Sequence, residues 1–330
     1  MRHPLARSLE RLLADHFGRH RTIRTVRRRR CPTKSTFTIE ELDVEFAGGE
    51  SLALVMKDLS PARVAPRVRR VRPPIAVEPR REIDVYRSIL PHAPSGTAVC
   101  YGALTDARRR HHHLFLERID GVELPQAESF SAWTHTAKWI GRFHRTFTGP
   151  RVARLTSRVA LLTYDEAYYR LWIERAHQFA ADARRRRVLD RVARVYESVV
   201  ARLIRMRPAI IHGDFYPANV MIGGTHRRVR VCPVDWEMTA VGPALIDLAS
   251  LVTGWREPEQ RALVRAYRAG AGIETVKSRR AASEFAADLD CCRLHLAVRM
   301  LGWSRTWTPP SHQAHDWTAE ALRIVTRLQT

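Results

Sequence analysis

The chain has 330 residues, 45% hydrophobic and 27% charged, a mixture that excludes wholesale disorder and suits one large or two ordinary domains. No run approaches the roughly 18 apolar residues a membrane helix needs, and Met1 to Arg30 lacks the apolar core and cleavage site of a secretory signal. Basic residues outnumber acidic ones by 56 to 34, a net charge of +22, yet lysine occurs only at positions 34, 57, 138 and 277. The arginines cluster along the whole chain (27–30, 67–72, 108–110, 184–187, 227–230), which fits the composition of a GC-rich bacterium and a solvated surface better than one nucleic-acid footprint.

In chain order, residues 4 to 18 place Leu5, Leu9, Leu12, Leu13 and Phe17 at helical spacing. Thr36 to Val44 alternates in part, Gly48-Gly49 is a turn signal and Ser51 to Met56 is a compact apolar run, so a hairpin is expected. Arg80 to Leu90 puts Ile83, Tyr86, Ile89 and Leu90 on one helical face, and Ala98 to Ala103 and His113 to Leu116 read as strands. From Trp133 onward most of the sequence is helical: 133–147, 165–183, 186–206, 257–269, 281–302 and 317–328. Residues 209 to 238 interrupt it with two short apolar strands, Val220 to Ile222 and Val229 to Val234. A β-rich first part, 1–117, followed by a mainly helical second part, 118–330, is an α+β arrangement. The five cysteines (31, 100, 232, 291, 292) match no zinc or CxxC spacing, so free thiols in a reducing cytoplasm are expected, with the vicinal pair 291–292 packed in a core.

Chemistry concentrates in residues 209 to 238. His212-Gly213-Asp214 is followed by Asn219, and a glycine hairpin through Gly223-Gly224 leads to a second apolar strand ending in Val234-Asp235-Trp236-Glu237. Asp214 and Asn219 have the spacing of the base and the metal-binding amide of a kinase catalytic loop. Phosphoryl transfer needs one carboxylate to orient an acceptor hydroxyl and take its proton. It also needs an amide oxygen and a second carboxylate as hard ligands for Mg²⁺. Each piece alone is commonplace; a loop Asp, a structural histidine and a core tryptophan are their ordinary readings. The combination is hard to obtain by chance.

The segment resembles the aminoglycoside phosphotransferase and choline kinase family, the small-molecule branch of the protein-kinase-like fold, in His212-Gly213-Asp214…Asn219 and Val234-Asp235-Trp236-Glu237. The resemblance implies a bilobal fold with a β-rich nucleotide-binding lobe and a helical catalytic lobe. It implies Asp214 as catalytic residue, Asn219 and Asp235 as Mg²⁺ ligands, and ATP or another nucleoside triphosphate as donor to a hydroxyl of a small molecule. His212 and Glu237 support the site, and Asp247 either braces the catalytic loop or is merely an acid at a helix start. Lys57, ending the strand Leu52 to Met56, stands where the phosphate-contacting lysine belongs, and its scarcity here favours a need for a compact ammonium. Glu82 is its expected partner, with Glu78 and Asp84 as rivals. Glu117 and Ile119 lie in the segment that resembles the adenine-contacting hinge, and Trp139 to His144 resembles a structural helix of the family. The phosphate-side turn falls at Cys31 to Thr36, without the glycines of a G-x-G-x-x-G loop. Three adjacent histidines, 111 to 113, suit a strand edge better than a metal. The competing reading is a catalytically weak kinase-fold module that binds nucleotide or a polyanion.

Overall fold

The computed structural model describes residues 4–31, 37–64, 78–106, 108–225, 228–273, 278–304 and 315–329. Of the expected phosphate-side turn, Cys31 to Thr36, residues 32–36 lie outside the described residues, as do the arginines of 67–72. The chain separates into two compact units, Met1–Gly121 and Val122–Thr330.

The first unit is an antiparallel sheet of five strands in the order β1-β2-β3-β5-β4: β1 Ile23–Arg30, β2 Thr38–Phe46, β3 Ser51–Asp58, β4 Cys100–Asp106 and β5 His111–Glu117. Side chains alternate across a sheet, so Leu42, Val44, Leu54 and Met56 share one face with Phe115, and helix α1 (Pro4–Phe17) buries Leu9, Leu12 and Leu13 against them. Glu10 of α1 accepts the Ile23 N–H at 2.7 Å and ties the helix to the sheet edge. Helix α2 (Pro79–Ser88) starts at Pro79 with Glu78 as its N-cap, the Glu78 carboxylate accepting the Arg80 N–H at 3.0 Å.

Strand β1 was not expected from its sequence, Ile-Arg-Thr-Val-Arg-Arg-Arg-Arg, which reads as a charge run. Its arginines meet acids of β2: Arg28 with Glu40 at 2.7 Å, Arg24 with Glu45 at 3.1 Å, and Arg29 with Glu41. Cross-strand charge pairing holds this edge in register, and the charged side chains blunt it against further strand addition.

The second unit is mainly helical: α3 Phe130–Thr146, α4 Pro150–Thr156, α5 Glu166–Gln178, α6 Ala183–Arg205, α7 Leu245–Val252, α8 Glu257–Ala271, α9 Arg279–Leu301 and α10 Trp317–Leu328. Helices α3 and α8 touch along their backbones; a methyl group on Gly141 would lie 2.2 Å from the Tyr267 carbonyl oxygen. Strands β9 (Val220–Thr225) and β10 (Arg228–Pro233) form an antiparallel hairpin beside the short β6 (Gly121–Glu123). Strands β7 (Leu162–Thr163), β11 (Ala240–Pro243) and β8 (Pro208–Ile211) form a second small sheet. All five cysteines are free, with Cys291 and Cys292 buried in α9 as expected of packing residues.

Candidate active site

In the first unit, Lys57 and Glu82 meet in a buried ion pair, Nζ to Oε2 2.7 Å. Lys57 follows Met56, so alternation turns it to the sheet face opposite α1, where Glu82 of α2 reaches it. The Phe37 ring lies 5.7 Å from its ammonium. Of the rivals, Glu78 is committed to capping α2, and burial pushes the Asp84 carboxyl up. The Glu117 backbone N–H donates to the Val99 carbonyl at 2.8 Å and its carboxylate accepts the Val99 N–H at 3.0 Å, which anchors the strand end; Ile119 lies just beyond. His113 stands 3.6 Å from Asp58, and all three histidines belong to β5. Among the described residues no cluster of three or more His, Cys, Asp or Glu could hold a metal.

In the second unit, β8 delivers the loop His212 to Asn219. The loop is held at its backbone: Asp247, in the first turn of α7, accepts the His212 N–H at 2.7 Å and the Gly213 N–H at 3.0 Å. Asp247 is therefore both the loop brace and a helix-start acid. His144 of α3 donates from Nε2 to the same carboxylate at 3.0 Å, while the Tyr267 hydroxyl lies 3.0 Å from its Nδ1. Gly213 takes φ +78°, and a Cβ there would lie 2.2 Å from the Met238 carbonyl oxygen, so only glycine fits.

Burial pushes the His212 imidazole below its ordinary range, so it is neutral at pH 7. Its Nε2 faces the Val234 carbonyl at 3.0 Å and must carry the proton, leaving Nδ1 to accept the Asp214 N–H at 3.3 Å. One ring thus ties the Asp214 backbone to the strand end that carries Asp235. Asn219 turns its amide nitrogen to Asp214, 2.9 Å from the carbonyl oxygen and 3.4 Å from Oδ2, so its amide oxygen faces away from that carboxylate. The Val234 N–H donates to the Asn219 carbonyl at 2.8 Å, and Val220 pairs with Pro233 in the hairpin. Asn219 and Asp235 therefore flank the same end of β9 and β10.

Asp235 has φ 64° and ψ 60°, a left-handed conformation that non-glycine residues adopt at a cost and that concentrates at functional positions. Trp236 and Glu237 follow in a buried turn; the indole donates to the Pro233 carbonyl at 3.0 Å and packs on His212 with ring centroids 4.4 Å apart. An amide oxygen and a carboxylate at one strand end, beside a loop carboxylate, suit a hard cation shared with phosphate oxygens.

Arg299 of α9 was not anticipated. It is 2% exposed, donates from Nη2 to Asp214 Oδ1 at 3.0 Å, and bonds the Gly213 carbonyl through Nη1. No local pattern marks it, because it lies 85 positions from its partner.

A sheet unit with a buried Lys–Glu pair and a helical unit with a braced Asp–Asn loop define a phosphotransferase of the protein-kinase-like class. The sequence matches the model of the phosphotransferase enzyme family over residues 59–285, and the chain belongs to that family. No curated protein matches the sequence. Among solved structures, the GDP complex of wild-type aminoglycoside 2'-phosphotransferase-IIIa superposes with a TM-score of 0.57 at 13% identity, covering 98% of each chain. A microcompartment-associated aminopropanol kinase gives 0.56 at 12% identity, over 92% of this chain and 90% of that one. A spectinomycin phosphotransferase in complex with ADP and spectinomycin gives 0.50 at 12% identity, over 98% and 94%. These likenesses establish the protein-kinase-like fold.

Proposed function

We propose that the protein transfers the γ-phosphoryl group of ATP to a hydroxyl of a small molecule. The observation that carries this reading is the loop geometry: Asn219 is hydrogen-bonded to Asp214 at 2.9 Å while its carbonyl ties the strand end that bears Asp235. Asp214 accepts the acceptor's hydroxyl proton and aims that oxygen at phosphorus. Asn219 and Asp235 would hold Mg²⁺, which supplies charge neutralisation on the phosphate oxygens. Lys57, fixed by Glu82, is assigned to the α and β phosphates, and the backbone of Glu117 and Ile119 to the base. The GDP and ADP complexes of the similar structures support a purine nucleotide, and GTP is the donor to compare with ATP.

The acceptor is best read as neutral or anionic. A polycationic ligand needs uncommitted carboxylates, and those of α9 and α10 are paired with arginines: Asp288 with Arg202 at 2.6 Å, Asp290 with Arg327 at 2.8 Å, Glu320 with Arg293 at 2.7 Å. The cation beside Asp214 adds to this. The polyanion reading loses force at β1, where Arg24, Arg28 and Arg29 are paired with glutamates of β2. The test is a screen of ATP and GTP turnover with Mg²⁺ against an acceptor library of sugars, amino alcohols, nucleosides and aminoglycosides, with the phosphorylated product identified by mass. Nucleotide turnover raised by a neutral or anionic acceptor supports the reading. Turnover with no class of acceptor, together with salt-sensitive nucleic-acid binding, favours the polyanion module.

A further inference from the structure

The carboxyl-terminal end of α9 is apolar, with Leu294, Leu296, Ala297, Val298 and Leu301 all buried, and Arg299 is buried among them. Desolvating a guanidinium costs several kcal/mol in general, and an apolar residue of similar size packs as well without that cost. A charge kept there calls for a reason. Burial works against its ionisation, and its surroundings, with the Asp214 carboxylate 3.0 Å away, outweigh it, so Arg299 stays charged with its affinity for the proton raised.

The guanidinium spans two acceptors at once. Nη1 bonds the Gly213 carbonyl and lies 3.4 Å from the Tyr164 hydroxyl, while Nη2 donates to Asp214 Oδ1 at 3.0 Å. The planar fork thereby fixes the Asp214 carboxylate relative to its own backbone. The backbone keeps other anchors without Arg299: the Tyr164 hydroxyl also donates to the Gly213 carbonyl, at 3.3 Å. Asp247 takes the N–H groups of both His212 and Gly213, and the positive φ of Gly213 sets the turn. What remains for Arg299 is the side chain. With Oδ1 occupied, Oδ2 is the oxygen left to an incoming hydroxyl; its contact to Asn219 is a long 3.4 Å, and the carboxylate keeps 25% of its surface open.

We propose that Arg299 is a positioning residue for phosphoryl transfer, which holds Asp214 in the single orientation that presents Oδ2 to the acceptor. Position 299 lies beyond the residues 59–285 that match the family model. The proposal rests on the assignment of Asp214 above. It predicts that the effect of Arg299 on turnover runs through Asp214.

The experiment is a double-mutant cycle on the full chain, read as turnover of ATP with Mg²⁺ and the acceptor found by the screen, or water in its absence. Arg299→Met is expected to lower kcat about 10- to 100-fold with the KM for nucleotide within about twofold, because only orientation is lost. In an Asp214→Asn background the same substitution should slow the enzyme no further, since residues that act as a unit are not additive. Arg299→Lys keeps the charge but not the fork, and should fall between wild type and Arg299→Met. It also keeps the test standing should the methionine variant fail to fold. Arg175→Met, which removes a part-buried guanidinium from the Gly302 and Trp303 carbonyls just past α9, is the control for stability alone. A crystal structure of either Arg299 variant should show Asp214 in another rotamer over an unmoved His212–Gly213 backbone. An Arg299 variant that loses thermal stability but keeps kcat overturns the proposal, as does a loss that multiplies with that of Asp214→Asn. Full turnover by Asp214→Asn alone overturns the assignment of Asp214 and this inference with it, whereas a slow Asp214→Asn with additive Arg299 variants overturns only the inference.

Discussion

Asp247 holds the His212 N–H at 2.7 Å across 35 positions of sequence, and its second oxygen holds Gly213, so the loop that carries Asp214 and Asn219 hangs from a carboxylate at the start of α7. Two backbone donors and the His144 imidazole converge on one buried side chain.

Asp247→Asn replaces an acceptor oxygen by an NH₂ that faces a donor. Leaving one buried N–H unsatisfied costs about 1–3 kcal/mol, so a fall in stability of about that size or more is expected by urea unfolding. Turnover should drop with it, because the loop that carries Asp214 and Asn219 loses its anchor. Unchanged stability would show that the brace is dispensable.

Asp214→Asn keeps shape and removes charge. It should leave folding and nucleotide binding intact and lower kcat at least about 100-fold, about 3 kcal/mol in the barrier. A change confined to the acceptor KM would assign Asp214 to uniform binding instead.

Asp235→Asn is a clean probe of the metal because asparagine also tolerates the left-handed backbone found there. Calorimetric titration should show nucleotide affinity falling in this variant and, for the wild type, on adding a chelator. Equal affinity in all three conditions would remove Asn219 and Asp235 as metal ligands.

Lys57→Met leaves the Glu82 carboxylate buried without its ammonium, and breaking one side of such a pair costs about 3–5 kcal/mol. Replacing both, Lys57→Met with Glu82→Leu, should recover most of that stability while nucleotide turnover stays low. Recovery of stability and turnover together would make the pair purely structural.

Asp58 carries a pH signature. Burial pushes its carboxyl up, and bonds from His113, the Ser60 hydroxyl and the Ser60 N–H outweigh burial and hold it at about 2. The unfolded value is near 3.9, so the folded form binds the proton less readily. The stabilisation is complete above about pH 4 and disappears as pH falls through about 2. Asp58→Asn should be less stable than wild type by about 1–2 kcal/mol near pH 6, with the difference closing by about pH 2 in thermal or urea unfolding. A gap that does not change with pH would refute the assignment.

The placement of the loop residues was legible because it is local. Asp214 and Asn219 sit five positions apart, and the strand ending in Asp235 announces itself as an apolar run, so spacing alone brings these residues to one hairpin end. Helix α6 was legible for a similar reason: it is a long run free of Gly and Pro, and its buried positions recur at helical spacing. The Lys57–Glu82 pair required the resemblance as well, since alternation says which face Lys57 takes but not which acid meets it. Other features were decided only by tertiary packing. Strand β1 looked like a charge run because its partners, the glutamates of β2, are what make an arginine-rich edge pair stably. The dual role of Asp247 came from α7 meeting the loop end-on, and that of His144 from α3 crossing behind it. Arg299 is the extreme case: in sequence it is one arginine among many, and only the docking of α9 buries it against a single carboxylate. Periodicity and spacing report what neighbours along the chain can do. The energy of a buried charge depends on which distant group is brought to meet it.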